Sequence, residues 1–169
     1  MTDLPDLLVP DRIECGCEIR SKKRALQTIA ELLGASLRGP EPVDGLEDER
    51  DPPSVSDMAI LDALISRERL GSTGIGHGIA LPHSRLAGIE EPLAALITLK
   101  EGVDFDSDDN VAVDVVLGLL VPEDCNDDHL KILANLAKRF NDPGERDAIR
   151  ACKGGETLMT RLGAESPSS

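Results

Sequence analysis

Apolar residues along this chain follow two spacings, and the switches between them mark its elements. From Lys22 to Arg38, Leu26, Ile29, Ala30, Leu33 and Leu37 recur at three- and four-residue steps, the spacing of one helical face, with Ser21 as the capping hydroxyl. A second helix is predicted at about Asp57 to Arg69, capped by Ser56 and ended by glycine, with Met58, Leu61, Leu64 and Ile65 as its buried stripe. The spacing then changes. Leu93 to Leu99 (LAALITL) and Val111 to Val121 (VAVDVVLGLLV) are strands; the second begins in alternation and becomes continuously apolar, as a strand covered on both faces does. A short strand is expected at Ile79 to Leu81, stopped by Pro82, which has no amide proton for a ladder. Helical spacing returns from about Asp128 to Phe140, with Leu130, Leu133, Leu136, Ala137 and Phe140 facing inward. A further turn or two follows Pro143, and a last helix runs from about Glu156 to Leu162. Helices and strands intermixed in this order predict a layered α/β/α sandwich rather than a bundle or barrel.

Two stretches break the pattern. Gly39 to Asp57 carries four prolines and seven acids against a single Arg50, with only Val43, Leu46 and Val55 to bury. Such a segment cannot offset its ordering entropy, so a mobile acidic surface loop is predicted over 39–57. The tail from Gly163 (GAESPSS) should fray, and Asp104 to Asp109 (DFDSDD) is an acidic turn. The chain has 169 residues, 40% of them hydrophobic, and a domain of about that length buries roughly two thirds of its unfolded surface. One domain over 1–169 is therefore expected, with a core at about 8–162.

Charge narrows the function. With 18 Lys and Arg against 32 Asp and Glu, the formal net charge is −14, which opposes the phosphate neutralisation that nucleic-acid binding depends on. Phe105 and Phe140 are the only aromatics, so stacking platforms for bases are nearly excluded. The longest apolar runs are far shorter than the ~18 to 20 residues of a spanning helix, so no membrane insertion is expected. The N-terminal MTDLPDLLVPDR has acids where a secretory leader needs bases, which favours a cytoplasmic protein. Cys15, Cys17, Cys125 and Cys152 are too scattered for a disulfide framework. Cys15 and Cys17 could supply half a metal site, but no other Cys or His lies nearby in sequence to complete it. Neither a metal nor a cofactor is expected.

The candidate chemistry gathers in GSTGIGHGIALPHSR, from Gly71 to Arg85, which holds two of the three histidines, His77 and His83. His83 follows Pro82 at the end of a short apolar strand, where its ring can project past the sheet edge. An imidazole with an ordinary pKa near 6.5 is largely neutral at about pH 7 and available as a nucleophile toward phosphorus. Gly71, Gly74, Gly76 and Gly78 permit positive φ angles that turn several amides toward one anion. The stretch lacks the Lys and Ser/Thr of a nucleotide-binding loop, and neither a GxSxG elbow nor a helical zinc-protease spacing occurs in the chain. A zinc site built from His77, His83 and His129 is the competing reading and requires all three rings to converge.

The residues RERLGSTGIGHGIALPHSR resemble the active-site signature of the enzyme IIA proteins of the phosphoenolpyruvate-dependent phosphotransferase system, fructose and mannitol class. Within that class, SKKRAL at Ser21 to Leu26, the GSTGIG block and LLVPEDCNDDHLKILANLAKR are most similar to the nitrogen-regulatory enzyme IIA. The resemblance implies the mannitol-type enzyme IIA fold, a three-layer sandwich on a mixed sheet. It also implies a phosphocarrier whose His83 takes a phosphoryl group through Nε2 from an HPr-like protein, with Arg67 facing the phosphate and His129 as the second imidazole. These placements agree with the residue chemistry: Arg67 offers a planar set of donors just before the glycine loop, and His129 opens a helix, whose amides favour an anion. Ser72, Thr73, Gly74 and Ser84 are expected to line the phosphoryl position. His77 stands where the family usually has Asn or another polar residue and is expected to hydrogen-bond near His83. The resemblance to the nitrogen type further implies regulatory targets such as potassium transporters or sensor kinases, bound according to phosphorylation state. Delivery to a separate enzyme IIB in sugar transport is the alternative.

Overall fold

The structure is a computed structural model describing residues 7–38, 56–107, 109–124, 127–151 and 153–164; the side chains of residues 38, 127–129 and 161–164 lie outside that description. After a 3-10 turn at Pro10–Arg12, the elements are β1 (Ile13–Cys17), α1 (Lys22–Arg38), α2 (Asp57–Leu70), β2 (Gly74–Gly76), β3 (Ile79–Ala80), β4 (His83–Leu86), β5 (Leu93–Val103), β6 (Val113–Pro122), α3 (Asp127–Phe140), α4 (Pro143–Ala151) and α5 (Gly155–Ala164). The predicted caps form: Ser21 Oγ accepts from the Arg24 amide at 3.1 Å, and Ser56 Oγ from the Ala59 amide at 3.1 Å.

The sheet is mixed, in the order β1-β5-β6-β3-β2, with β4 also on β6 beyond β3. The pair β5–β6 is antiparallel, while β1 on β5 and both β3 and β4 on β6 are parallel. Because successive strand residues point to opposite faces, β5 and β6 feed two cores. Ala95, Ile97, Val116 and Leu120 meet Leu26, Ile29, Leu33, Ile60 and Leu64 of α1 and α2. Ala94, Leu96, Val115, Leu117 and Leu119 meet Ile132, Leu136 and Phe140 of α3, Ile149 of α4 and Leu158 of α5. This is the expected α/β/α sandwich, with one phenylalanine in each core. Helix and sheet approach closely at Gly118, where an added Cβ would stand 2.1 Å from Ile29 Cγ2.

Several expectations shift. Met58 is 64% exposed and Ile60 takes its place inside; Leu130 is 62% exposed and Ile132 takes its place. β1, β2 and β4 are strands that the apolar spacing did not predict, and His83 opens a strand rather than following the end of one. α5 continues to Ala164, two residues into the stretch expected to fray. The predicted loop falls, over residues 39–55, outside the described residues, as does the tail from 165.

β1 carries a bulge between Glu14 and Cys17, with Gly16 at φ 69° and its amide donating to Thr98 Oγ1 at 2.8 Å. The extra residue turns Cys17 toward the α1/α2 core, whereas Cys15 packs on the opposite one. The two thiols of this Cys-x-Cys pair do not share a face, so they do not converge on one ion.

Candidate functional site

β3 and β4 run along β6 as one interrupted strand: Ile79 and Ala80 pair with Val115 and Val116, and His83 and Ser84 with Leu119 and Leu120. Pro82 interrupts it. The Leu119 amide donates to the Pro82 carbonyl at 2.9 Å, which keeps His83 in register at the start of β4.

The ring of His83 is half-buried and held on both sides. Nδ1 lies 2.8 Å from the Leu81 carbonyl, and Arg67 Nε donates to Nε2 at 3.3 Å. A carbonyl only accepts, so the proton of the neutral ring sits on Nδ1 and the lone pair on Nε2. Burial lowers the pKa of His83 from the ordinary histidine value; the Leu81 carbonyl pulls it up, the Arg67 charge pushes it down and Glu68 pulls it up, and the net direction is down. Arg67 itself is fixed from the last turn of α2, with Nη1 donating to the Gly71 carbonyl at 3.0 Å. The unprotonated ring nitrogen and the guanidinium are thus held together by the fold itself.

Residue 129 lies in the first turn of α3, and the His129 side chain lies outside the described residues. His77 does not approach His83. It sits in the left-handed region at φ 58° on the β2–β3 turn, its amide donating to Asp109 Oδ2 at 2.9 Å and its carbonyl accepting from Arg150 Nη2. With Ile75, Lys138, Phe140 and Asn141 it lines a groove of about 360 Å³ at the C-terminal end of α3. At 1.5 Å per residue, Lys138 stands about 13.5 Å along α3 from position 129, so the turn that carries His77 lies at the opposite end of that helix from position 129.

The glycine stretch departs from the expected anion nest at Gly74. Gly76 and Gly78 have φ of 94° and 81°, but Gly74 does not have a positive φ. The Thr73 amide goes to Glu68, at 3.2 and 3.4 Å from its two carboxylate oxygens, and the Gly74 amide goes to Ser72 Oγ at 3.1 Å. The hydroxyls turn inward too: Ser72 Oγ donates to the Phe105 carbonyl and Thr73 Oγ1 to Glu68. Gly74 is required for a packing reason, because a Cβ there would stand 2.0 Å from Ser107 Oγ. Through these contacts Ser72, Thr73 and Gly74 brace the loop. Ser84, half-buried beside His83, donates to the Arg85 carbonyl at 3.2 Å.

Glu68 is the site residue that the sequence reading missed. Its carboxylate is 5% exposed, accepts from Thr73 and pairs with Lys22 Nζ at 2.8 Å. A signal was available: an acid in the last turn of a helix opposes the helix dipole and needs a cation to hold it.

A mixed six-stranded sheet between helical layers thus presents an imidazole, unprotonated at Nε2, to a guanidinium. The family model described as phosphoenolpyruvate-dependent sugar phosphotransferase system, EIIA 2, matches residues 6–163, and the chain belongs to that family, a phosphotransferase component. A relative named nitrogen regulatory protein, from Pseudomonas aeruginosa, is 36% identical over 158 residues, covering 94% of this chain and 93% of that one. The crystal structure of nitrogen regulatory protein IIA-Ntr from Neisseria meningitidis is similar with a TM-score of 0.79 at 31% identity, covering 94% of this chain and 97% of that one. The mannitol IIA of Escherichia coli shares the fold at a TM-score of 0.70 and 18% identity, over 92% of this chain and 98% of that one. Among the described residues, no helix is long and apolar enough to cross a membrane.

Proposed function

We propose that this chain is a cytoplasmic phosphocarrier whose His83 accepts a phosphoryl group on Nε2 from an HPr-like protein. The observation that carries the reading is the pair of ring contacts: Nδ1–H on the Leu81 carbonyl leaves Nε2 as the lone-pair nitrogen, and Arg67 Nε stands 3.3 Å from it. In the transfer, the Nε2 lone pair forms the new P–N bond as the bond to the donor imidazole breaks, and that imidazole takes back its electron pair. Arg67 gives up the lone pair to the phosphorus and turns its N–H donors to the phosphoryl oxygens, where charge gathers in the transition state. His129, in the first turn of α3, is the second imidazole. Leu70, 83% exposed and three residues beyond Arg67, and Leu130, 62% exposed next to position 129, offer apolar contact to a docking protein.

The output is regulatory. Phosphorylation adds about two negative charges at one point of that face, which switches contacts with targets such as potassium transporters or sensor kinases. The experiment is incubation with the phosphorylated carrier, followed by mapping of an acid-labile, base-stable adduct. The adduct is expected on His83 and absent from His83→Ala, while Arg67→Ala slows its formation by about a hundredfold, the usual cost of one lost transition-state donor. A wild-type chain that takes no phosphoryl group, or an adduct that survives in His83→Ala, overturns the reading.

A further inference from the structure

A line of hydrogen bonds leads from a half-buried ion pair to the ring of His83. Lys22 Nζ, on the first residue of α1, lies 2.8 Å from Glu68 Oε2 and 5.4 Å from the centre of the Phe105 ring. The same carboxylate takes both the amide and the hydroxyl of Thr73. The Thr73 carbonyl accepts from the Leu81 amide at 3.0 Å, and the Leu81 carbonyl accepts from His83 Nδ1 at 2.8 Å. Thr73 is 5% exposed and Leu81 is 4% exposed, so water is not at hand to replace a bond that is lost.

We propose that Glu68, held by Lys22, is a positioning residue for His83: through Thr73 and the Leu81 peptide it fixes the carbonyl that keeps the imidazole proton on Nδ1 and Nε2 bare. The Glu68 charge also acts on the ring through space, but its hold on the tautomer comes through placement, because the Leu81 peptide has its amide tied to Thr73 and its carbonyl tied to the ring. If Thr73 drifts, the Leu81 carbonyl drifts with it and the Nε2–H tautomer gains population. That tautomer has a proton where the nucleophilic lone pair should be, and it sets that N–H against the Arg67 Nε–H. An ion pair with a purely structural role would leave the tautomer alone.

The inference rests on the phosphoacceptor reading for its purpose, and its test is separable from that reading. Long-range ¹H–¹⁵N spectra of the labelled, unphosphorylated full chain distinguish the two His83 tautomers. In wild type, above the titration of the ring, the expected spectrum is that of the Nδ1–H form. Glu68→Gln and Thr73→Val shift population toward Nε2–H, and Thr73→Ser, which keeps the hydroxyl, restores the wild-type spectrum. The rate of phosphorylation falls by about tenfold or more in the two shifted variants, the scale of loss when a reacting group is misplaced. Lys22→Met, which frees Glu68 without removing it, gives a smaller shift in the same direction and serves if Glu68→Gln does not fold. Folded Thr73→Val and Lys22→Met proteins with the wild-type tautomer overturn the proposal. A wild-type chain that accepts no phosphoryl group would remove the phosphoacceptor reading, and the tautomer spectra would still decide the role of Glu68.

Discussion

The imidazole of His83 answers to its surroundings in a way that pH reads directly. Burial lowers its pKa below the ordinary 6.5, so the folded ring refuses a proton that the unfolded ring accepts. Above pH 6.5 both states are neutral and the group adds no pH dependence. Below it, the unfolded chain binds the extra proton and stability falls as pH falls, until the lower folded value is passed. Urea midpoints at pH 7.5 and 5.5 are therefore expected to drop further in wild type than in His83→Gln; equal drops would contradict the direction. For the same reason the initial rate of phosphorylation should hold from pH 8 down to about 6.5 and decline only below. At this scale the sequence exposed His83 and Arg67, because a proline, a glycine run and a helix end fix both positions locally. Lys22 and Glu68 were hidden because their meaning lies in a contact across 46 positions of chain. Each occupies the helix end that disfavours its charge, Lys22 the start of α1 and Glu68 the last turn of α2, and the 2.8 Å contact offsets both penalties.

Among the elements, the tightest seam is α1 on β6. A methyl group at Gly118 would meet Ile29 Cγ2 at 2.1 Å, so Gly118→Ala is expected to cost about 1–3 kcal/mol through overpacking. Ile29→Ala removes the obstructing atom at its own cavity cost, and the double variant should lose less than the two single losses added together. Chemical denaturation of the four proteins measures this coupling, and strict additivity would deny the contact. A second seam joins α3 to α4, where Arg139 Nε meets Glu145 Oε2 at 3.3 Å with side chains 7% and 9% exposed. Glu145→Ala leaves a buried guanidinium without that carboxylate, at an expected cost of about 3–5 kcal/mol by thermal or urea unfolding. The long elements were legible because many repeats of one period average out local noise. The two helical faces were misassigned by a small rotation, since Met58 and Leu130 fit the apolar spacing as well as Ile60 and Ile132 do. β1 and β4 escaped altogether. Strands of five and four residues, half of them polar, have too few repeats to show a period, and parallel pairing with β5 and β6 is what makes them strands.

On the scale of the whole molecule, two helical layers enclose one sheet, and the edge strand β1 touches both cores. Gly16 lets it do so, by turning two neighbouring sulfur atoms to opposite sides. The protein thereby carries a separate alkylation reporter for each interior. Burial first, and then Glu14, pushes the Cys17 thiol up to about 11 from a usual 9.0. At pH 8 its thiolate is therefore about a hundredfold scarcer in the folded chain than in the unfolded one. Iodoacetamide pulses read by peptide mass mapping should find Cys17 slowed by at least that factor until the layer made by α1 and α2 opens. Cys15 reports the other layer, so Glu145→Ala, which loosens only that side, should advance Cys15 along a urea series and leave Cys17 behind. Simultaneous labelling would mean that the two halves of the sandwich open as one.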